Sequence, residues 1–141
     1  MILLAVEAEQ RIRAEGEKAY PNECCGFLFG SYAGSERRAD TILTVENARE
    51  EGERYHRFVI TPEDFMRAEK EALRLNREIF GIYHSHPDHP ARPSDYDREH
   101  ALPFYSYLIV GVEAGKALAL TSWELTSDRN QFLEEEINLW R

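Results

Sequence analysis

The apolar positions fall into short runs whose spacing changes several times along the chain. From about Val6 to Tyr20 the residues are rich in Glu, Ala and Arg, which predicts a helix stopped by Pro21 and Asn22. "CCGFLFGSY", a short apolar run broken by Gly26 and Gly30, predicts a buried strand. "DTILTVENA" (40–48) and "HRFVIT" (56–61) read as further strands joined by the charged loop "REEGERY". Thr61-Pro62-Glu63-Asp64 then marks a helix start: an N-cap, proline at the first position, and acids in the first turn. Phe65, Met66, Ala68, Ala72, Leu73, Leu75 and Ile79 give an apolar stripe that predicts a helix to about Arg77. "IFGIYHSH" alternates as a strand, and "FYSYLIVGVEA" with "KALALTSWEL" reads as a hairpin turning at Ala114-Gly115. The tail "QFLEEEINLW" fits either a strand or a helix. This order of helices and strands predicts an α/β (α+β-like) fold around a β-sheet core.

A chain of 141 residues is expected to form one domain over 1–141, large enough to bury a core unaided. With 43% apolar and 30% charged residues the composition reads as that of an ordinary soluble globular protein. A net charge of −9 without any Lys/Arg block argues against nucleic acid or an anionic membrane as partner. "MILLAVEAEQ" is too short for a signal sequence and no later stretch could span a bilayer, so the cytoplasm is the expected location. Cys24 and Cys25 are adjacent, which disfavours a disulfide, and without a C-x-x-C pair there is no zinc ribbon or thioredoxin-like chemistry. Small apolar packing is the expected role of both.

The chemistry concentrates in "HSHPDHPARPSDYD", residues 84–97, which holds three of the five histidines. On a strand His84 and His86 share a face while Ser85 points the other way. Pro87 turns the chain, Pro90 and Pro93 stiffen the return, and Ser94 can cap a helix with Asp97 in its first turn. S-x-x-D is a capping signal that needs no metal, but the same geometry aims a carboxylate at a fixed point. Asp97 with the two histidines gives a His2Asp set that leaves a fourth zinc position for water, the pattern of catalytic sites. The base such a water needs must come from another element, and Glu23, just before the "CCGFLFG" strand, is the candidate. Asp88, His89 and Asp95 read as solvated loop residues, and His56 and His100 as structural or exposed.

"ECCGFLFG" together with "HSHPDHPARPSDYD" resembles the JAMM/MPN+ metalloprotease family, particularly its short bacterial members. The family pattern, a distant glutamate and then H-[ST]-H-P-x6-S-x2-D, is met at Glu23, His84, Ser85, His86, Pro87, Ser94 and Asp97. The resemblance implies an MPN/JAMM (cytidine-deaminase-like) fold, with a mixed, partly barrel-like sheet flanked by helices. It implies Zn2+ held by His84, His86 and Asp97, with Glu23 as general base and Ser94 stabilising the oxyanion. It also implies cleavage beside the C-terminal Gly-Gly tail of a ubiquitin-like or sulfur-carrier protein. The compact chain lacks the long insertions of deubiquitinases that hold a second ubiquitin. Two other readings are weaker. A metal-free MPN scaffold would have lost motif residues, and none is missing; a nucleobase deaminase would need H-x-E and P-C-x-x-C, and neither occurs.

Overall fold

The computed structural model describes residues 1–47 and 58–141. In chain order its elements are β1 (Ile2–Ala5), α1 (Val6–Ala19), β2 (Cys25–Ala33), β3 (Glu36–Val45), α2 (Pro62–Leu75) and β4 (Glu78–Pro87). They continue with α3 (Asp95–His100), β5 (Ser106–Glu113), β6 (Lys116–Leu125), β7 (Phe132–Glu135) and β8 (Ile137–Trp140). The strands form one mixed sheet in the order β7-β6-β5-β4-β2-β3-β1-β8. β1 is parallel to both β3 and β8, β4 is parallel to β5, and the other pairs are antiparallel.

The two outermost strands in that order, β7 and β8, are separated in sequence by Glu136 alone. The sheet must therefore curl until its ends meet, giving a nearly closed barrel. Side chains cross the seam: Arg37 on β3 reaches Glu124 on β6 at 3.1 Å and Glu135 on β7 at 3.0 Å. Ser106 and Ser122, both fully buried, donate to the same Glu135 carboxylate oxygen.

Helices cover the two faces of the sheet. Ile2, Leu4, Ala8, Ile12, Leu28, Leu108 and Val110 make one apolar cluster with α1. Phe27, Phe29, Val45, Ala68, Ala72, Ile82 and Tyr107 make the other with α2. Alternation along β2 sorts Phe27 and Phe29 to one face and Leu28 to its opposite. α2 starts as its sequence predicts: Thr61 Oγ1 accepts from Asp64 N, and the Asp64 carboxylate accepts from Thr61 N at 2.9 Å. β4 lies between β2 and β5 and is buried from Phe80 to Pro87. Gly81 permits its pairing with β5, since a Cβ there would collide with the Ser106 carbonyl.

Three expectations change. "ILLA" at the start of the chain is a strand, β1, and β3 begins at Glu36, earlier than the "DTILTVENA" run suggests. In its described part, residues 58–61, the expected strand at 56–61 is irregular chain, while 56, 57 and the "REEGERY" loop lie outside the described residues. Phe58 and Ile60 are apolar because they pack against the α2-side cluster, so burial and not strand pairing explains that run. The ambiguous tail forms two short strands, β7 and β8. Among the described residues no helix is long and apolar enough to cross a membrane.

Candidate metal centre

β4 and β5 run parallel, and ligands in such sheets bind beyond the carboxyl ends of the strands. His84 and His86 sit at that end of β4. Their even numbers match Ile82 and turn them toward the α2 side of the sheet. Ser85 points the other way, where a side chain at Gly16 of α1 would touch it. Its hydroxyl accepts from Cys24 N at 2.8 Å, and its own N–H donates to Cys24 O at 3.2 Å. Continuing that antiparallel register places Glu23 across from His86.

After Pro87 the chain returns through Asp88–Pro93 to α3. Ser94 caps this helix: its Oγ accepts from Asp97 N at 3.0 Å, and its N–H donates to Asp97 Oδ2 at 2.8 Å. The same Oδ2 faces His86 Nε2 at 3.2 Å and His84 Nε2 at 3.4 Å, while the two Nε2 atoms are 3.2 Å apart. His84 is fully buried, and His86 and Asp97 are nearly so.

This triangle has the size a small cation needs. Ligands about 2.0–2.1 Å from zinc at tetrahedral angles lie roughly 3.3–3.4 Å from one another. The protonation pattern agrees. The Pro90 carbonyl, 2.8 Å from His86 Nδ1, can only accept, so Nδ1 carries a proton and a neutral His86 presents its lone pair at Nε2. A lone pair 3.2 Å from a carboxylate oxygen is favourable only with a proton or a metal cation between them. Burial opposes ionisation of Asp97. The neighbouring imidazoles of His84 and His86 and the hydrogen bond from the Ser94 N–H nonetheless hold its carboxyl well below the usual carboxylate range. The carboxyl-and-imidazole donor set, converging at this spacing, fits zinc.

Glu23 is only 4% exposed, and its backbone carbonyl accepts from Asn47 Nδ2 at 3.2 Å. A carboxylate oxygen of Glu23 and one ring nitrogen each of His86 and His89 lie within 4.8 Å of one another. Glu23 thus stands beside the triangle without being a corner of it. Ser94 is exposed, and its side chain is engaged as a cap.

Several contributors carry no signal in the sequence. Phe58 stacks on His84 with ring centroids 4.6 Å apart. Asn47 Oδ1 also accepts from Val59 N, tying the chain on both sides of residues 48–57 to Glu23. A cleft of about 200 Å³ lined by Phe58, Ile60, Phe65, Ile82 and Tyr107 opens beside His84 and Asp97. His89, read from sequence as a solvated loop residue, is exposed but packs edge-on against His86, with centroids 4.2 Å apart. Burial and the neighbouring His86 push its imidazole below the usual value. Asp88 is exposed, yet it accepts from Tyr20 and from Ala114 N. His100 is exposed and stacks on Tyr96, and His56 lies outside the described residues. Cys24 and Cys25 are buried free thiols, as expected of packing residues.

The chain is similar to proteins that share this architecture. It is 32% identical over 115 residues to the desampylase of Pyrococcus furiosus, covering 82% of this chain and 74% of that one. A solution structure from Desulfitobacterium hafniense superposes with a TM-score of 0.85 at 31% identity, over 99% of this chain and 93% of that one. A crystal structure of a JAB1/MPN domain protein from Archaeoglobus fulgidus has a TM-score of 0.63 at 18% identity, over 100% and 98% of the two chains. That last likeness concerns the fold, and it agrees with the mixed, nearly closed sheet and its flanking helices. The model of the prokaryotic homologues of the JAB domain matches residues 5–126, and the chain belongs to that family.

Proposed function

We propose that this protein is a zinc-dependent peptidase or isopeptidase that cleaves beside the C-terminal Gly-Gly tail of a ubiquitin-like or sulfur-carrier protein. The observation that carries the reading is the convergence of His84 Nε2, His86 Nε2 and Asp97 Oδ2 at mutual distances of 3.2–3.4 Å. Membership of the JAB family and the 32% identity to a desampylase support a hydrolase acting on a ubiquitin-like modifier.

His84, His86 and Asp97 would hold the ion, which when bound supplies a Lewis acid that acidifies water and polarises a carbonyl. His86 is oriented by its Nδ1–H bond to Pro90 O, and Asp97 by the Ser94 N–H. Glu23 accepts the proton of the attacking water and returns it to the departing amine, the work of a carboxylate within hydrogen-bond reach. Ser94 Oγ already accepts from Asp97 N, which leaves its own hydrogen for the oxyanion of the tetrahedral intermediate. An extended tail lies beside the site, and glycines let its backbone pass close under the 88–93 loop.

The test is metal content with one cleavage assay. Protein loaded with zinc is incubated with a carrier ending in Gly-Gly plus one further residue, and with the same carrier ending in Ala-Ala plus that residue. About one zinc per chain and strongly preferred cleavage of the glycine tail are expected. Equal rates on both tails would remove the Gly-Gly reading, and full zinc retention in a His84→Ala/His86→Ala double variant would remove the tripod.

A further inference from the structure

His89 belongs to no part of the proposed tripod, yet with Glu23 and His86 it makes a second convergence of ligand atoms, all within 4.8 Å of one another. We propose that Glu23 and His89 hold a second divalent cation beside the first, and that its binding silences the enzyme by occupying the proton acceptor. The silencing half rests on Glu23 being the base in the reading above; the binding half rests on the placement of Glu23 and His89 beside each other.

The backbone that carries each of the two residues is held in place before any ion arrives. Ser85 pins the start of β2, where Glu23 sits, to β4, and Asn47 holds the Glu23 carbonyl. Asp88 fixes the loop that carries His89. Its N–H donates to Val112 O at 2.6 Å and its carboxylate accepts from Ala114 N at 2.8 Å. Tyr20 OH donates to the other carboxylate oxygen, which ties the loop to the end of α1. Asp88 takes a left-handed backbone conformation, φ 59°, to make that turn. His89 is therefore seated by its loop and by its edge-on contact with His86.

His86 has little to give a second ion. Its Nδ1 serves Pro90 O, and its Nε2 faces the tripod. A filled tripod thus leaves one carboxylate and one imidazole for the second ion, with water completing its coordination. That donor pair suits zinc. With two protein ligands against three, the second ion binds more weakly than the first and enters only at excess metal. His89 is the exposed member of the cluster, so the ion meets it first from solvent.

The experiment is equilibrium dialysis of the metal-free protein against rising Zn2+, counting ions per chain, for the wild type, His89→Ala and His84→Ala. Circular dichroism checks that each variant is folded; His89 is on the surface, so its removal should leave the fold intact. The wild type should bind a first ion and then a weaker second, with turnover falling as the second binds. His89→Ala should keep the first ion, lose the second ion, and lose the inhibition by excess zinc, read against its own turnover without excess zinc. A wild type that stops at one ion, or a His89→Ala protein that still takes a second with the same affinity, would overturn the site. Loss of the second ion without relief of inhibition would overturn the silencing. A single ion that survives His84→Ala but not His89→Ala would sink the tripod reading and leave this site standing, so the two failures are distinguishable.

Discussion

Replacing Ser94 with alanine separates a helix cap from a catalytic donor. In the structure Ser94 Oγ accepts from Asp97 N at 3.0 Å, half of a capping box on the six-residue helix α3. Losing such a cap costs about 1 kcal/mol. Unfolding entropy of roughly 2.1 cal/mol/K per residue over 141 residues is about 0.3 kcal/mol/K, so Tm should fall by about 3 °C. The other half of the box survives, because the donor to Asp97 Oδ2 is the Ser94 backbone N–H at 2.8 Å, which alanine keeps. Asp97 therefore stays aimed at the histidines, and zinc content should remain near one per chain. If the hydroxyl also donates to the oxyanion, turnover should drop by about 2.7–4 kcal/mol, roughly 10²–10³-fold. The assay is a melt, a zinc determination and a single-turnover cleavage rate on one preparation, with Ser94→Thr as the variant that keeps both cap and hydroxyl. A Ser94→Ala protein that melts lower, holds its zinc and turns over at the wild-type rate would refute the donor role and leave only the cap.

Glu23→Gln keeps the shape and loses the base, so it should bind zinc normally while turnover falls by about 10²–10⁴-fold; loss of zinc would make Glu23 a ligand. Gly81→Ala drives a Cβ into the Ser106 backbone, and should cost about 1–3 kcal/mol or more in denaturant titration; an unchanged midpoint would contradict the close β4–β5 approach. Cys24 and Cys25 should resist a thiol reagent at pH 8 in the native state and both react on unfolding, because both are buried. Burial pushes the Cys24 thiol up from about 9 to about 11, so the folded chain holds that proton more tightly than the unfolded one. The associated stability is complete below about pH 9 and is lost as pH rises through about 11, which Cys24→Ala should largely remove from an alkaline stability profile.

The triad is legible in the sequence because its parts lie within one short stretch and each follows from local geometry. Alternation puts His84 and His86 on one face, proline ends the strand, and the Ser94 cap directs Asp97. α2 is legible for the same reason, since Thr61, Pro62 and Asp64 settle its start among themselves. What escapes the sequence depends on distant pairing. "ILLA" becomes a strand only because β3 and β8 lie on either side of it, and the tail becomes two strands only because the sheet closes on itself. Phe58, Asn47 and the Pro90 carbonyl have no local signature; what each does depends on a partner brought up by the fold. His89 reads as a solvated loop residue because exposure and proximity to a site are independent, and sequence position alone reports neither.

Glu23 lies 61 residues from His84, yet one strand pairing, and not a chain of loops, sets its place. The fixed point is Ser85, whose side chain faces away from the histidines it separates. By accepting from Cys24 N and donating to Cys24 O, it locks the β2–β4 register beyond the last paired residues, Cys25 and His84. A one-residue slip of that register would turn Glu23 to the other face of the sheet. The small hydroxyl between two histidines therefore couples the position of Glu23 to that of His84 and His86. Ser85→Ala keeps the strand and both histidines but leaves the buried Cys24 N–H without its acceptor, a desolvation penalty of about 1–3 kcal/mol. The prediction that separates this coupling from a ligand role is a protein that still binds zinc through His84, His86 and Asp97 but turns over more slowly, because Glu23 has lost its anchor. If Ser85→Ala loses zinc and activity in equal proportion, the serine supports the histidines directly and the coupling is wrong.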